Sequence, residues 1–430
     1  QLLKALYGCI KSALLWYMLF TSVLKDMGFV LNPVDPCVAN KDINGKQCTI
    51  CWYVDDNKVS HVEYDVVTEI LESIEKKFGK MSITRGKKHS FIGMDIDILE
   101  NKKLKILMKG HIEEAINNFN EEITRTAPTP ARKDLFEIDE NSERLSDSDA
   151  ENFHSVVALL LFIAIRARVD ILLAISFLCT RVSKSTKQDK AKLKRVLEYL
   201  NGTRDLPYIL GADSLEAFFS WIDAAFAVHE DMRGHTGGAT SMGTGAFMVK
   251  SSKQKQNTLS STECEHVGVA QYLPSPIWLS QFLKYQGYDV TDKTLYQDNE
   301  STIRFLKNGK KSAGKNSRHI DIRMFFSKDR IEAENIKVKH CRTNHMLSDF
   351  WSKPLQGALF RKFRDVSMGL EHIDTLTEEP MTTSEERVGD KISESHVDMG
   401  NERERKTYAE VTKEKTSKQV NETKAVRFIL

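Results

Sequence analysis

The chain lacks a long apolar run. Its longest, residues 156–165, is stopped by Arg166 and falls well short of the ~20 residues that cross a bilayer, so no membrane span is expected. No basic opening followed by an apolar stretch and a small-residue cleavage site is seen, so no secretory leader is expected. An excess of one charge sign is also missing. The formal net charge is +2 over 430 residues, which excludes a global polycation and confines any nucleic-acid surface to a local basic stripe. Cysteine is scarce, with seven scattered residues, which argues for a reducing compartment rather than a disulfide scaffold. Cys48 and Cys51 do form a CxxC. On a predicted strand, however, positions i and i+3 face opposite sides, and with no second pair zinc is the minor reading. The first residue is Gln rather than Met and already lies in an amphipathic pattern, which suggests a fragment of a longer chain.

What is present is an ordinary share of apolar and charged residues, enough to bury cores in two or three domains. Residues 11–27 read as a helix with Leu14, Leu15, Met18 and Leu19 on one stripe and Gly28 as its stop. Residues 37–39 and 47–54 read as paired strands about an Asn44-Gly45 turn. Val66, Ile70, Ile74 and Phe78 recur every four residues before Gly79, a helix with its C-terminal stop. Residues 91–98 and 103–108 are expected strands, giving an α+β layout over residues 1–125. Residues 126–150, with Pro128, Pro130 and an acidic, Ser-rich continuation, read as a linker. Residues 151–210 are expected to be helical, interrupted near 166–170. The basic helix at 190–200 either tracks a phosphate backbone or, more commonly for such a face, is simply solvated.

A further domain is expected over residues 215–370. Strands at 217–222, 245–250 and 257–259 precede helices at 261–272 and 276–286. A strand at 293–296, helices at 300–306 and 319–331, a strand at 336–340 and final helices follow. That order predicts a mixed sheet with helices on its faces. Residues 371–430 are rich in Glu, Lys, Ser and Thr and read as a disordered charged tail.

Two sets of carboxylates stand out. The apolar run Ile50-Cys51-Trp52-Tyr53-Val54 ends in Asp55 and Asp56. At a hairpin tip, two aspartates are either turn residues or oxygen ligands for a hard cation such as Mg²⁺. In the later domain Asp223, Glu265, Asp298 and Asp349 each sit near the end of an expected element, where side chains from separate elements converge. Each alone is more commonly a surface residue, and together they would need cations to offset their repulsion. Glu263 competes with Glu265, but i and i+2 on a helix face apart, so only one contributes.

In this order the residues resemble the reverse transcriptase–ribonuclease H part of the polyprotein of copia-type LTR retrotransposons. Leu6-Tyr7-Gly8, Trp16-Tyr17, Tyr53-Val54-Asp55-Asp56, Phe78-Gly79 and Phe91-Ile92-Gly93-Met94 are similar to the polymerase motifs. Asp223-Ala224, Ser260-Ser261-Thr262-Glu263-Cys264-Glu265, Asp298-Asn299, Arg318-His319-Ile320 and Asp349-Phe350-Trp351-Ser352-Lys353-Pro354-Leu355 are similar to the ribonuclease H motifs. The resemblance covers about residues 1–370. Departures include Cys9-Ile10-Lys11 for L-K-Q, Ala13 for Pro, His266 for Tyr or Leu, Ser348 for Ala and Ser352 for Thr.

The resemblance implies a truncated right-hand polymerase palm (1–125), a helical thumb or connection (151–210) and a ribonuclease H-like domain (215–370). It implies Asp55 and Asp56 as two of three polymerase aspartates, the third lying on an upstream strand. Polymerase activity is therefore expected to be lost. It implies a complete tetrad of Asp223, Glu265, Asp298 and Asp349, with two Mg²⁺ (or Mn²⁺) for cleavage of the RNA strand. His340 or His345 is a candidate for product release or proton transfer. The implied partners are an RNA–DNA hybrid, a template–primer and the rest of the polyprotein, with no membrane. The implied location is cytoplasmic, in a virus-like particle for an active element, with the nucleus as the alternative. A catalytically inactive nucleic-acid-binding remnant is the competing reading. A strand-transfer enzyme is a third, disfavoured because the second acid opens the first helix instead of coming late.

Overall fold

The computed structural model describes residues 10–309 and 321–376. The expected Leu6-Tyr7-Gly8 and Arg318-His319-Ile320 motifs and the tail beyond Leu376 lie outside the described residues.

The first layer holds α1 (Ile10–Asp26), β1 (Val30–Leu31), β2 (Val38–Ile43), β3 (Lys46–Tyr53), β4 (Asp56–Ser60) and α2 (Tyr64–Phe78), with the antiparallel strands in order β1-β2-β3-β4. Asn44 and Gly45 both take positive φ (55° and 70°), as a tight two-residue hairpin requires. Its core joins Phe20, Leu24, Ile50, Trp52, Val66, Ile70 and Ile74. The apolar stripe read on α1 is not its packed face: Leu14, Leu15, Met18 and Leu19 are each more than half exposed, while Phe20, Val23 and Leu24 are buried. The helix is apolar nearly all round, so periodicity alone cannot choose its face. Cys48 belongs to this core and Cys51 to the next one, as opposite faces of a strand dictate.

The middle of the chain forms β5 (Lys88–Phe91), β6 (Met94–Ile98), β7 (Leu104–Leu107), α3 (Lys109–Asn118), α4 (Asp147–Ala164), α5 (Leu172–Cys179), α6 (Lys187–Asn201) and β8 (Tyr208–Ala212). The single strand expected over residues 91–98 is instead a hairpin, because Ile92 and Gly93 take φ of 50° and 75° and turn the chain. Residues 126–146 are no loose linker. Ala127, Thr129, Ala131 and Leu135 are buried, Arg195 of α6 donates to the Thr129 hydroxyl at 3.0 Å, and Gln356 donates to the Ala131 carbonyl at 2.9 Å. Two prolines made the segment look like a spacer, yet extended backbone can also strap two surfaces together.

The last part contains β9 (Ala217–Ala225), β10 (Arg233–Ser241), β11 (Gly243–Thr244), β12 (Ala246–Asn257), α7 (Ser261–Tyr272), α8 (Pro274–Tyr285), β13 (Asp292–Gln297), α9 (Glu300–Asn308), α10 (Asp321–Ala333), β14 (Lys337–His340), α11 (Asp349–Ser352) and α12 (Gly357–Ser367). Its sheet runs β12-β10-β9-β13-β14, antiparallel among the first three and parallel across β9, β13 and β14. Strand β10 was not expected, and no separate strand exists at 257–259, where Leu259 is exposed. A second sheet, β11-β8-β7-β6-β5, joins the middle of the chain to this part. One core runs from Val38 to Leu376. Ile373 and Leu376 are buried and Thr244 bridges to His372, so the packed chain extends past the tail boundary expected at 371.

Candidate metal centre

The sheet of the last part supplies one end where four acids collect. Asp223 lies near the end of β9 and is buried. Asp298 follows β13 directly. Next to it, Asn299 caps α9 by accepting the Thr302 N–H at 3.0 Å, so the Asp-Asn pair divides into an acid facing the site and a helix cap. Glu265 lies on α7 and is buried. The rivalry with Glu263 is resolved by the cap of that helix. Ser260 accepts the Glu263 N–H at 3.2 Å and the Glu263 carboxylate accepts the Leu259 N–H at 2.7 Å, a reciprocal N-terminal arrangement that leaves Glu265 to face the sheet. Asp349 opens α11 and is buried.

Oxygens of Asp223, Glu265 and Asp298 all lie within 4.8 Å of one another. Asp349 joins them through Lys353, whose Nζ donates to Asp349 at 2.8 Å and to Asp223 at 3.2 Å. The Ser352 hydroxyl donates to the other Asp223 oxygen. Gln297, fully buried, was not foreseen. Its amide donates to Glu265 at 3.3 Å and to the Ile222 carbonyl at 3.2 Å, and its oxygen accepts the N–H groups of Asp298 and Asn299. One side chain thus ties together the elements bearing three of the acids. The signal in the sequence was slight, a polar residue that follows Leu295-Tyr296 and directly precedes an acid.

Glycine lets α11 approach. A Cβ on Gly237 would lie 2.5 Å from the Ser348 carbonyl oxygen and 2.9 Å from the Ser352 nitrogen. Gly237 is also the cross-strand neighbour of Asp223, so this close approach sets Asp349 beside Asp223.

Crowded, buried like charges resist ionisation. Burial, then Asp223 and Asp298, push the Glu265 carboxyl well above its ordinary range. Burial and Asp223 raise Asp298 and lift Asp349 to about 7. Burial opposes the Lys353 charge, but Asp223 and Asp349 outweigh it and hold the ammonium protonated. A set of hard oxygen donors that repel one another until a cation enters suits Mg²⁺ or Mn²⁺. The donor set therefore fits a divalent ion.

Asp55 and Asp56 are exposed at the β3–β4 tip. Val54 there has φ of 56°, uncommon for a β-branched residue, and the Trp16 indole donates to its carbonyl at 2.6 Å. The Ile92 N–H points to Asp56 at 3.4 Å. Among the described residues no third acid, His or Cys joins the two in a ligand cluster. His340 ends β14 beside Gln297 in register. His345 closes the short 3₁₀ turn whose Thr343 reaches Asp298 at 3.4 Å. The basic face of α6 is paired within the chain. Lys190 meets Glu121 and Asp149, Lys194 meets Glu121, and Lys187 meets Glu143, which removes most of its appeal as a phosphate track.

No model of a known protein family matches the chain. Individual relatives do. The chain is similar to the retrovirus-related Pol polyprotein from transposon TNT 1-94 of Nicotiana tabacum, 26% identical over 365 residues, covering 82% of this chain and 27% of the relative. It is 24% identical to the retrovirus-related Pol polyprotein from transposon RE1 of Arabidopsis thaliana over 365 residues, covering 84% of this chain and 24% of the relative. It is 22% identical to the transposon Ty1-GR2 Gag-Pol polyprotein of Saccharomyces cerevisiae over 377 residues, covering 84% of this chain and 21% of the relative. The homologues of this chain are thus copia-type retrotransposon Pol polyproteins. The chain spans about a quarter of the length of these curated relatives.

Proposed function

We propose that the chain is a reverse transcriptase–ribonuclease H segment whose working chemistry is hydrolysis of the RNA strand in RNA–DNA hybrids. The observation that carries this reading is the meeting of Asp223, Glu265 and Asp298, from three separate elements, within 4.8 Å, with Asp349 linked to Asp223 through Lys353. A mixed sheet in the order β12-β10-β9-β13-β14 supports a ribonuclease H-like fold for residues from about 215 to 376. The four acids would hold Mg²⁺, which when bound supplies Lewis acidity for the attacking water and the departing 3′ oxygen. Gln297 fixes the Glu265 carboxylate and the backbone at Asp298. Asn299 and the β10 glycines set the backbone that carries Asp298 and Asp349. Selection of hybrid over duplex DNA would come from the 2′-hydroxyls of the RNA strand.

Hybrid cleavage in Mg²⁺ by the pure chain, lost in Asp298→Asn with folding unchanged, is the expected result. A folded chain that binds hybrid and cuts none would instead favour the inactive, nucleic-acid-binding remnant. For the polymerase half, Asp55 and Asp56 retain the signature, and among the described residues no third acid clusters with them. Primer extension with Mg²⁺ or Mn²⁺ is expected to give no templated product, and synthesis would overturn this.

A further inference from the structure

The four acids divide into two unequal groups. Asp223, Glu265 and Asp298 share one volume with no basic side chain within hydrogen-bond reach of Glu265 or Asp298 among the described contacts. Asp349 stands outside that group and turns to Lys353, whose ammonium also reaches Asp223. Asp223 belongs to both groups. Its two oxygens are taken by consecutive residues, Ser352 on one and Lys353 on the other. Any ion placed between Asp223 and Asp349 would compete with a cation the chain itself provides.

We propose that Lys353 is a built-in counter-ion that fills the second cation position, between Asp223 and Asp349, until divalent metal and substrate arrive together. The inference rests on the ribonuclease reading and deepens it. The exposure of the three side chains makes the exchange feasible. Asp223 and Asp349 are 2% and 4% exposed, so they stay where they are, whereas Lys353 is 37% exposed and carries a flexible four-carbon stem. The lysine can leave for solvent, and the carboxylates cannot. In the free chain, the ammonium offsets the repulsion that would otherwise splay β9 and α11 apart. When it leaves, its charge is freed to meet the nucleic-acid backbone next to the scissile phosphate.

The test counts metal, not turnover. The whole 430-residue chain is titrated with Mn²⁺ at neutral pH without nucleic acid, and bound ion is measured by loss of the free-ion electron paramagnetic resonance signal. Wild type is expected to hold one Mn²⁺, Lys353→Met two, and Lys353→Arg one. If Lys353→Met does not fold without metal, Lys353→Gln replaces it, with melting temperature followed against Mn²⁺ concentration. The neutral variant should then show a larger metal-dependent rise than wild type. Two ions or none in wild type, or an unchanged count together with an unchanged melting response in both neutral variants, overturns the proposal. Hybrid cleavage is scored separately. A chain with the expected counts that cuts nothing keeps Lys353 as counter-ion and overturns the ribonuclease reading instead.

Discussion

At the scale of single residues, the acids themselves were legible and their supports were not. Asp223, Glu265 and Asp298 each read alone as an ordinary surface acid and stood out only as an ordered set and through the resemblance, and the structure brings them together. Gln297 and Gly237 did not, because a buried amide and a missing Cβ matter only once the neighbours are known. Replacing Gly237 with Ala forces the Ser348–Ser352 backbone away from β10. Hybrid cleavage is expected to fall steeply in that variant while its far-ultraviolet circular dichroism stays unchanged. His266 presents a different case. Its ring is 5% exposed and packs edge-on to Phe305 at 5.0 Å, and burial lowers its pKa from 6.5 to about 4. Because the folded state refuses a proton that the unfolded chain accepts, its contribution is fully present above pH 6.5. It is lost as pH falls towards 4, by about 3 kcal/mol at most. His229, lowered by burial to about 4, and His235, held by burial well below the ordinary histidine range, act in the same direction. His266→Leu should flatten part of that acid slope and raise stability at neutral pH by about 1 kcal/mol. Urea titrations between pH 4 and 7 would show either.

At the scale of elements, strong periodicity with a clear stop was read well and weak or ambiguous pattern was not. Helix α2 and the Asn44-Gly45 hairpin formed as expected because apolar spacing and turn chemistry agreed. Strand β10 was missed because Arg233-Gly234-His235-Thr236-Gly237-Gly238 offers no apolar alternation. Its glycines serve close approach, not strand propensity. The interruption between α4 and α5 was expected, but not what holds it. Arg168 there is buried and makes a two-pronged ion pair with Asp170, at 2.9 and 2.7 Å. It also reaches the Thr203 carbonyl, while the Tyr199 hydroxyl donates to Asp170 at 2.7 Å. The break is thereby tied to α6. Removing one partner strands the other charge in the core, so Asp170→Ala is expected to cost about 3–5 kcal/mol in chemical denaturation.

At the scale of the whole molecule, the sequence suggested a string of separable domains, and the structure shows parts laced together. The supposed linker is buried along Ala127–Leu135 at several points, and one core runs through the middle and last parts. Composition marks a spacer only when the partners of its few apolar residues are ignored. Specific cleavage within residues 126–146 should therefore leave the two pieces co-eluting in size-exclusion chromatography, parting only in denaturant.

The shared sheet also has a consequence during synthesis. Strand β7 finds its partner β8 about a hundred residues later, as in the pairing of Leu104 with Leu210. At ribosomal speeds of roughly 5–20 residues per second, the β7 edge stays open for about 5–20 s. Over that interval the nascent chain presents a free strand edge to chaperones and to other nascent chains.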